Sequence, residues 1–215
     1  SVYAVGEAGN GFAAYDSLPL QQVVKCAPNV EAYMLGETVF WNAIDGVKEY
    51  KLYLDTNKTA IATSTNNYFD LKAIENFETM FAPASTNYTL KIKSTLSSNS
   101  KNIVLPAEQE SVVEFNRLDQ PTISCLNNVV SWNAVANAKK YQVKIVDSNN
   151  NVLLNVATDK RSIDFLSDEF ASNESYTISV VANFVEVNDV FYLPSKTANL
   201  TVEKMGQASP VIENN

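Results

Sequence analysis

Two stretches of this chain say almost the same thing. Residues 38–54 read TVFWNAIDGVKEYKLYL, and residues 129–145 read VVSWNAVANAKKYQVKI. Trp41 and Trp132 lie 91 residues apart, and each is followed nine residues later by a tyrosine, Tyr50 and Tyr141. Later blocks keep the order. NYTLKIKST (87–95) matches SYTISVVAN (175–183), setting Tyr88 against Tyr176. LPAEQESVVEFNRLDQP (105–121) matches LPSKTANLTVEKMGQASP (193–210). A long period kept in register over several blocks is the mark of a tandem array. The ends carry the same pattern. Residues 1–28 resemble 179–210, and SPVIENN (209–215) resembles QPTISCLNN (120–128). The sequence therefore predicts the last two strands of a preceding module over 1–25 and whole modules over 26–117 and 118–205. A linker and the first strand of a following module are expected over 206–215.

Within each repeat the apolar residues alternate with period two, the signature of a half-buried strand. Tyr141, Val143 and Ile145 fall on one face, as do Tyr50, Leu52 and Leu54; Tyr176, Ile178 and Val180; and Tyr88, Leu90 and Ile92. The turn segments AIDGVKE, DTNKT, AVANAKK and DSNNN separate these runs. Several short strands in a unit of about 90 residues predict an all-β fold of tandem seven-stranded antiparallel β-sandwiches. One segment departs. LKAIENFETMFA (71–82) sets Leu71, Ile74, Phe77 and Phe81 at helical spacing and predicts a short helix in the first repeat.

A proline-led first strand, a second ending in Trp, a third opening with Tyr, and a Tyr near the start of the sixth resemble the fibronectin type III module. The resemblance covers 26–205 and both ends in part. It implies that Trp41 and Trp132 are the core tryptophans and Tyr50 and Tyr141 the third-strand aromatics. It implies also that Tyr88 and Tyr176 are the tyrosines that bond backbone at the corner between the fifth and sixth strands. Phe170, six residues before Tyr176, stands where the family has leucine. The first repeat departs there, with Ala82 six residues before Tyr88 and Met80-Phe81 displaced, so its corner is expected to be longer. Immunoglobulin-like sandwiches share the fold, but no pair of cysteines flanks the tryptophan within a repeat.

Charge and composition narrow the function. Net charge is −8, from 24 acidic and 16 basic residues, the wrong sign for phosphate neutralisation, so no nucleic-acid partner is expected. No apolar run approaches the ~20 residues that span a bilayer, so no direct membrane insertion is expected. The chain has no histidine, the commonest general base and metal ligand. Its two cysteines, Cys26 and Cys125, occupy non-equivalent places in different repeats, so no disulfide is expected and Cys125 reads as a small buried residue. DSNNN at Asp147 alternates oxygen ligands but lacks the Gly and Glu of a calcium loop, and reads as a turn. Sequons at Asn57, Asn87, Asn173 and Asn199 are no more than an Asn-, Ser- and Thr-rich chain gives by chance. No catalytic residue, metal site or cofactor is implied.

Tyr53, Tyr68, Phe184, Phe191 and Tyr192 break the inward alternation. Filling the ends of the core is the simpler fate for them; a row of exposed rings would instead stack on a glycan or meet a protein. The sequence thus reads as a non-catalytic spacer or adhesion segment of a longer extracellular or cell-surface protein, its partners being neighbouring modules. The alternatives are a glycan- or protein-binding module and an accessory region of a secreted enzyme such as a glycoside hydrolase.

Overall fold

The structure is a computed structural model that describes residues 23–84, 86–100, 102–106, 110–164, 170, 174–183 and 191–204. The partial modules expected at the two ends lie outside the described residues, apart from positions 23–25, and so does Phe184.

The first repeat contributes β1 (Lys25–Cys26), β2 (Ala32–Leu35), β3 (Thr38–Trp41), β4 (Val47–Leu54), β5 (Ala62–Ser64), β6 (Tyr68–Asp70), β7 (Tyr88–Leu96), β8 (Ile103–Val104) and β9 (Ser111–Arg117). The second contributes β10 (Ile123–Leu126), β11 (Val129–Trp132), β12 (Lys140–Asp147), β13 (Val152–Thr158), β14 (Ser162–Asp164), β15 (Ser175–Asn183), β16 (Phe191–Leu193) and β17 (Ala198–Glu203). Each repeat forms one three-stranded and one four-stranded sheet. The orders are β2-β3-β6 and β9-β7-β4-β5 in the first, and β10-β11-β14 and β13-β12-β15-β17 in the second. The five-stranded sheet of the first repeat is completed by β16, which joins at the β9 edge.

By packing, the described residues fall into two compact units. One holds those within Ser1–Tyr33, Phe40–Phe69 and Lys91–Val112; the other holds those within Met34–Val39, Asp70–Leu90 and Val113–Asn215. The second unit contains a continuous core of Leu118, Val130, Trp132, Val135, Tyr141, Val143, Ile145, Phe170, Tyr176, Ile178, Val180 and Ala182. Alternation along β12 and β15 supplies most of it, as the period-two pattern requires. In the first unit Trp41 packs on Tyr50 with ring centroids 5.2 Å apart, and Leu52 is fully buried on the same strand.

The turns explain their own residues. Gly46 and Asn137 hold the same place after the Trp-Asn-Ala triplets, and both are left-handed, at φ 76° and 63°. Glycine and asparagine tolerate that region best. Asn127 and Asn128, at φ 50° and 62°, make the tight β10–β11 hairpin.

One expectation is refined and one corrected. The short helix expected within residues 71–82 is present as a one-turn α-helix, α1 (Phe77–Met80), preceded by a 3-10 turn, Leu71–Ala73. Asn76 interrupts them with φ 62°, although Leu71, Ile74, Phe77 and Phe81 are all buried as their spacing suggested. Cys125 is exposed rather than buried, as is Cys26, and both are free thiols. Cys125 sits on the edge strand β10 opposite the fully buried Val130, where the margin of the sheet is left open to solvent. Among the described residues no helix is long and apolar enough to cross a membrane.

Candidate functional site

Two features stand out from the regular packing. The first is a ladder of three rings across β2, β3 and β6. Tyr33 stacks on Phe40 at 5.5 Å with an interplanar angle of 16°, and Phe40 meets Tyr68 at 6.1 Å and 37°. Val39 and Trp41 point inward, so Phe40 between them points out. Tyr33 and Tyr68, on the outer strands of the sheet, are 56% and 47% exposed.

The second is the junction between repeats, whose contacts all lie inside the second unit. Strand β16 pairs in parallel with β9, matching Phe191 to Phe115, Tyr192 to Asn116 and Leu193 to Arg117. The amide of Leu118 continues the pairing onto the Leu193 carbonyl at 3.1 Å. Arg117 is only 5% exposed. Its Nε donates to the Pro194 carbonyl at 3.0 Å, and its Nη1 donates to the Phe81 carbonyl at 3.2 Å. Nη1 also pairs with Glu78 at 2.8 Å, and the guanidinium lies 5.0 Å from the centre of the Phe77 ring. Asn116 clamps both backbone groups of Ala84, and Gln120 donates to the Thr197 carbonyl at 2.7 Å. A cleft of about 460 Å³ lined by Ala84, Asn116, Asn137 and Tyr192, among others, opens beside these bonds.

The first unit holds a like pairing. Strand β8 runs parallel to β1, with Lys25 opposite Ile103 and Cys26 opposite Val104. In both cases the residues just before a Leu-Pro, at Leu105 or Leu193, pair with residues leading to an opening proline, Pro28 or Pro121.

The duplicated motif residues have duplicated contacts. Asn42 accepts the Glu31 amide and Asn133 the Thr122 amide, each at 2.6 Å, so the residue after each tryptophan ties down the start of the first strand. Tyr50 Oη accepts the Ile44 amide and Tyr141 Oη the Val135 amide, both at 2.9 Å, which locks the turn after each triplet. Tyr88 Oη donates to the Ala82 carbonyl at 2.6 Å, the tyrosine-corner bond. Phe81 meets Tyr88 edge-on at 5.6 Å, as Phe170 meets Tyr176 at 5.4 Å. The corner phenylalanine therefore stands seven residues before the tyrosine in the first repeat and six in the second. In both repeats the strand after the Tyr-containing one, β5 after β4 or β13 after β12, stays beside it instead of crossing to the three-stranded sheet as in immunoglobulin constant domains. The strand order and corner contacts of each repeat are those of a fibronectin type III-like β-sandwich fold.

No family profile matches the chain, and no curated protein does. Solved structures do. A structure described as an FN3tt mutant is 19% identical over 40% of this chain and 94% of that one, with a TM-score of 0.30. A two-domain fibronectin type III segment of chicken tenascin is 14% identical over 83% of this chain and 99% of that one, with a TM-score of 0.33. The FN1–FN3 domains of chicken CNTN1 are 18% identical over 88% of this chain and 70% of that one, also with a TM-score of 0.33.

A buried cation ends β9 and another directly follows β17. As Arg117 donates to the carbonyl of Phe81, Lys204 Nζ donates to that of Phe170. Of the aromatics singled out by sequence, Tyr68 is the exposed end of the ladder, while Phe191 and Tyr192 are half-buried on β16. Tyr53 is half-buried with the Lys93 ammonium 5.5 Å from its ring centre. Lys91 and Lys93 both pair with Glu110. The hydrogen bond from Lys93 holds the Glu110 carboxyl below its ordinary range, and the same bond raises Lys93. Asp147 accepts the amides of Asn149 and Asn151 on one oxygen and the Asn151 side chain on the other, so this turn is closed on itself. Those bonds, the Asn151 side chain first, hold its carboxyl low.

Sequence reasoning missed Tyr33, Phe40 and Arg117. The ladder had a usable signal: adding the repeat offset to Tyr33 and Phe40 lands on Ser124 and Ser131, outward positions by their polarity. Arg117 had none, because its partners lie up to 77 residues away.

Proposed function

We propose that the chain is a non-catalytic structural spacer and adhesion segment of a longer extracellular or cell-surface protein, its modules bounded near residues 26, 118 and 205. The observation that carries this reading is the strand-sealed junction. Modules joined by a short linker move relative to one another by default. Here the linker residue Leu118 is part of the second core, β16 extends the β9 edge, and Arg117 bonds backbone on both sides. A nearest-neighbour term of this kind lets an array carry load along its length. Neighbouring modules of the same chain are then the partners, and no cofactor is involved. A second reading, a ligand-binding module, is favoured by the exposed ring ladder.

Calorimetry tests the spacer reading. Arg117→Ala strips the Phe81 and Pro194 carbonyls of a buried charged donor, a loss of about 2–4 kcal/mol. The wild-type chain is expected to unfold in one coupled transition, and the variant in two separated transitions. Arg117→Lys keeps the charge but loses the fork, and falls between them. Identical thermograms for wild type and Arg117→Ala would overturn the reading.

A further inference from the structure

The two modules provide an internal control for the ring ladder. Tyr33 and Phe40 align with Ser124 and Ser131 through the Trp41–Trp132 register. The amide of Trp41 bonds the Asn67 carbonyl as that of Trp132 bonds the Arg161 carbonyl, so Tyr68 aligns with Ser162. In the second module these serines are direct neighbours, Ser124 opposite Ser131 and Ser131 opposite Ser162. The same sheet thus forms with three hydroxyls where the first module carries three rings. The rings are not a requirement of the fold, and their exposure costs solvation that serines avoid.

From this we infer that the Tyr33–Phe40–Tyr68 face is a binding surface for a neutral saccharide, an activity beyond the spacer reading and independent of it. Area decides against a stable protein partner. With roughly 200 Å² per ring side chain, the exposed part of the ladder is on the order of 250 Å². Each side of a specific protein interface buries about 800 Å². A patch of that size suits a small ligand. Charge decides against an anionic one. By sequence, β2 and β3 carry no charged residue and β6 carries the carboxylate Asp70, so these strands offer no cation to pair with an anion. What remains is an apolar row with a phenol at each end. Because Tyr33 and Tyr68 stand on outer strands, each keeps one face turned away from Phe40. A sugar ring offers the complement, an apolar C–H face rimmed by hydroxyls that the two phenols can bond.

Affinity electrophoresis of the whole chain tests this, in native gels containing hydroxyethyl-cellulose, xylan, mannan, amylose or, as a charged control, hyaluronate. Retardation by at least one neutral polymer and not by hyaluronate is expected. The triple variant Tyr33→Ser, Phe40→Ser, Tyr68→Ser installs the second module's own residues and should weaken binding at least tenfold with its circular dichroism unchanged. If the triple variant fails to fold, Tyr33→Ser and Tyr68→Ser singly are each expected to reduce retardation. Retardation by none of the neutral polymers, or equal retardation of wild type and serine variants, overturns the inference. A wild-type dimer by light scattering that the serine variants dissociate overturns it too, in favour of a protein interface.

Discussion

Trp41 and Trp132 are buried with indole N–H groups that meet no acceptor among the described residues. Their contribution is therefore packing, and the two kinds of substitution should differ accordingly. Trp132→Ala leaves a cavity in the second core and is expected to cost about 3–5 kcal/mol. Trp132→Phe loses no hydrogen bond and only part of the ring area, about 1–2 kcal/mol. Urea denaturation measures both; a cost for Trp132→Phe as large as that for Trp132→Ala would contradict the packing role. Tyr141 differs, because its hydroxyl holds the buried Val135 amide. Tyr141→Phe should cost about 1–3 kcal/mol despite conserving the ring. An unchanged urea midpoint would mean that the turn is held without it. The repeated phrase Trp-Asn-Ala with its later Tyr is thus a set of contacts made twice: core ring, strand tie and turn lock.

Among the elements, strands with strong alternation were the most legible. β12 and β15 carry single-face apolar patterns that fix which side is buried, and the turn after β12 announces itself through Asn149, Asn150 and Asn151. Short strands were not legible. In β2, Tyr33, Met34 and Leu35 are consecutive apolar residues, so period two cannot say which face is inward, and only the second repeat's serines break the tie. The split of 71–82 at Asn76 was hidden because two short turns can bury the same four side chains as one helix. The β16–β9 pairing was hidden because it is parallel and remote in sequence, with only three residues in register. On β7 and its surroundings, Glu110 bonded to Lys93 makes a pH prediction. A carboxyl held low in the folded state contributes stability above its ordinary value, about 4.3, and loses it as pH falls through the lower folded value. Both side chains are largely solvent-accessible, so the effect on stability is small. Carboxyl NMR titration should place the Glu110 midpoint below the ordinary value and return it upward in Lys93→Met; a midpoint that does not move would mean that the pair does not persist in solution.

At the scale of the whole molecule, the proposed junction joins the repeats by strand pairing, β16 on β9, as well as by chain. Covering the β9 edge with β16 removes an open strand edge, a common site of unwanted association, and uses it for assembly within the chain. Strand β8 pairs with β1 in the same parallel way. Cys125, on the second repeat, is an exposed free thiol, and the exposed Glu75, in the first repeat but inside the same packed unit, takes a second spin label as Glu75→Cys in a Cys26→Ser background. Pulsed electron-spin distance measurement between them reads the freedom of one module against the other. A single narrow distance distribution that broadens in Arg117→Ala is the predicted result. A distribution in the wild-type chain as broad as in the variant would contradict a strand-sealed junction.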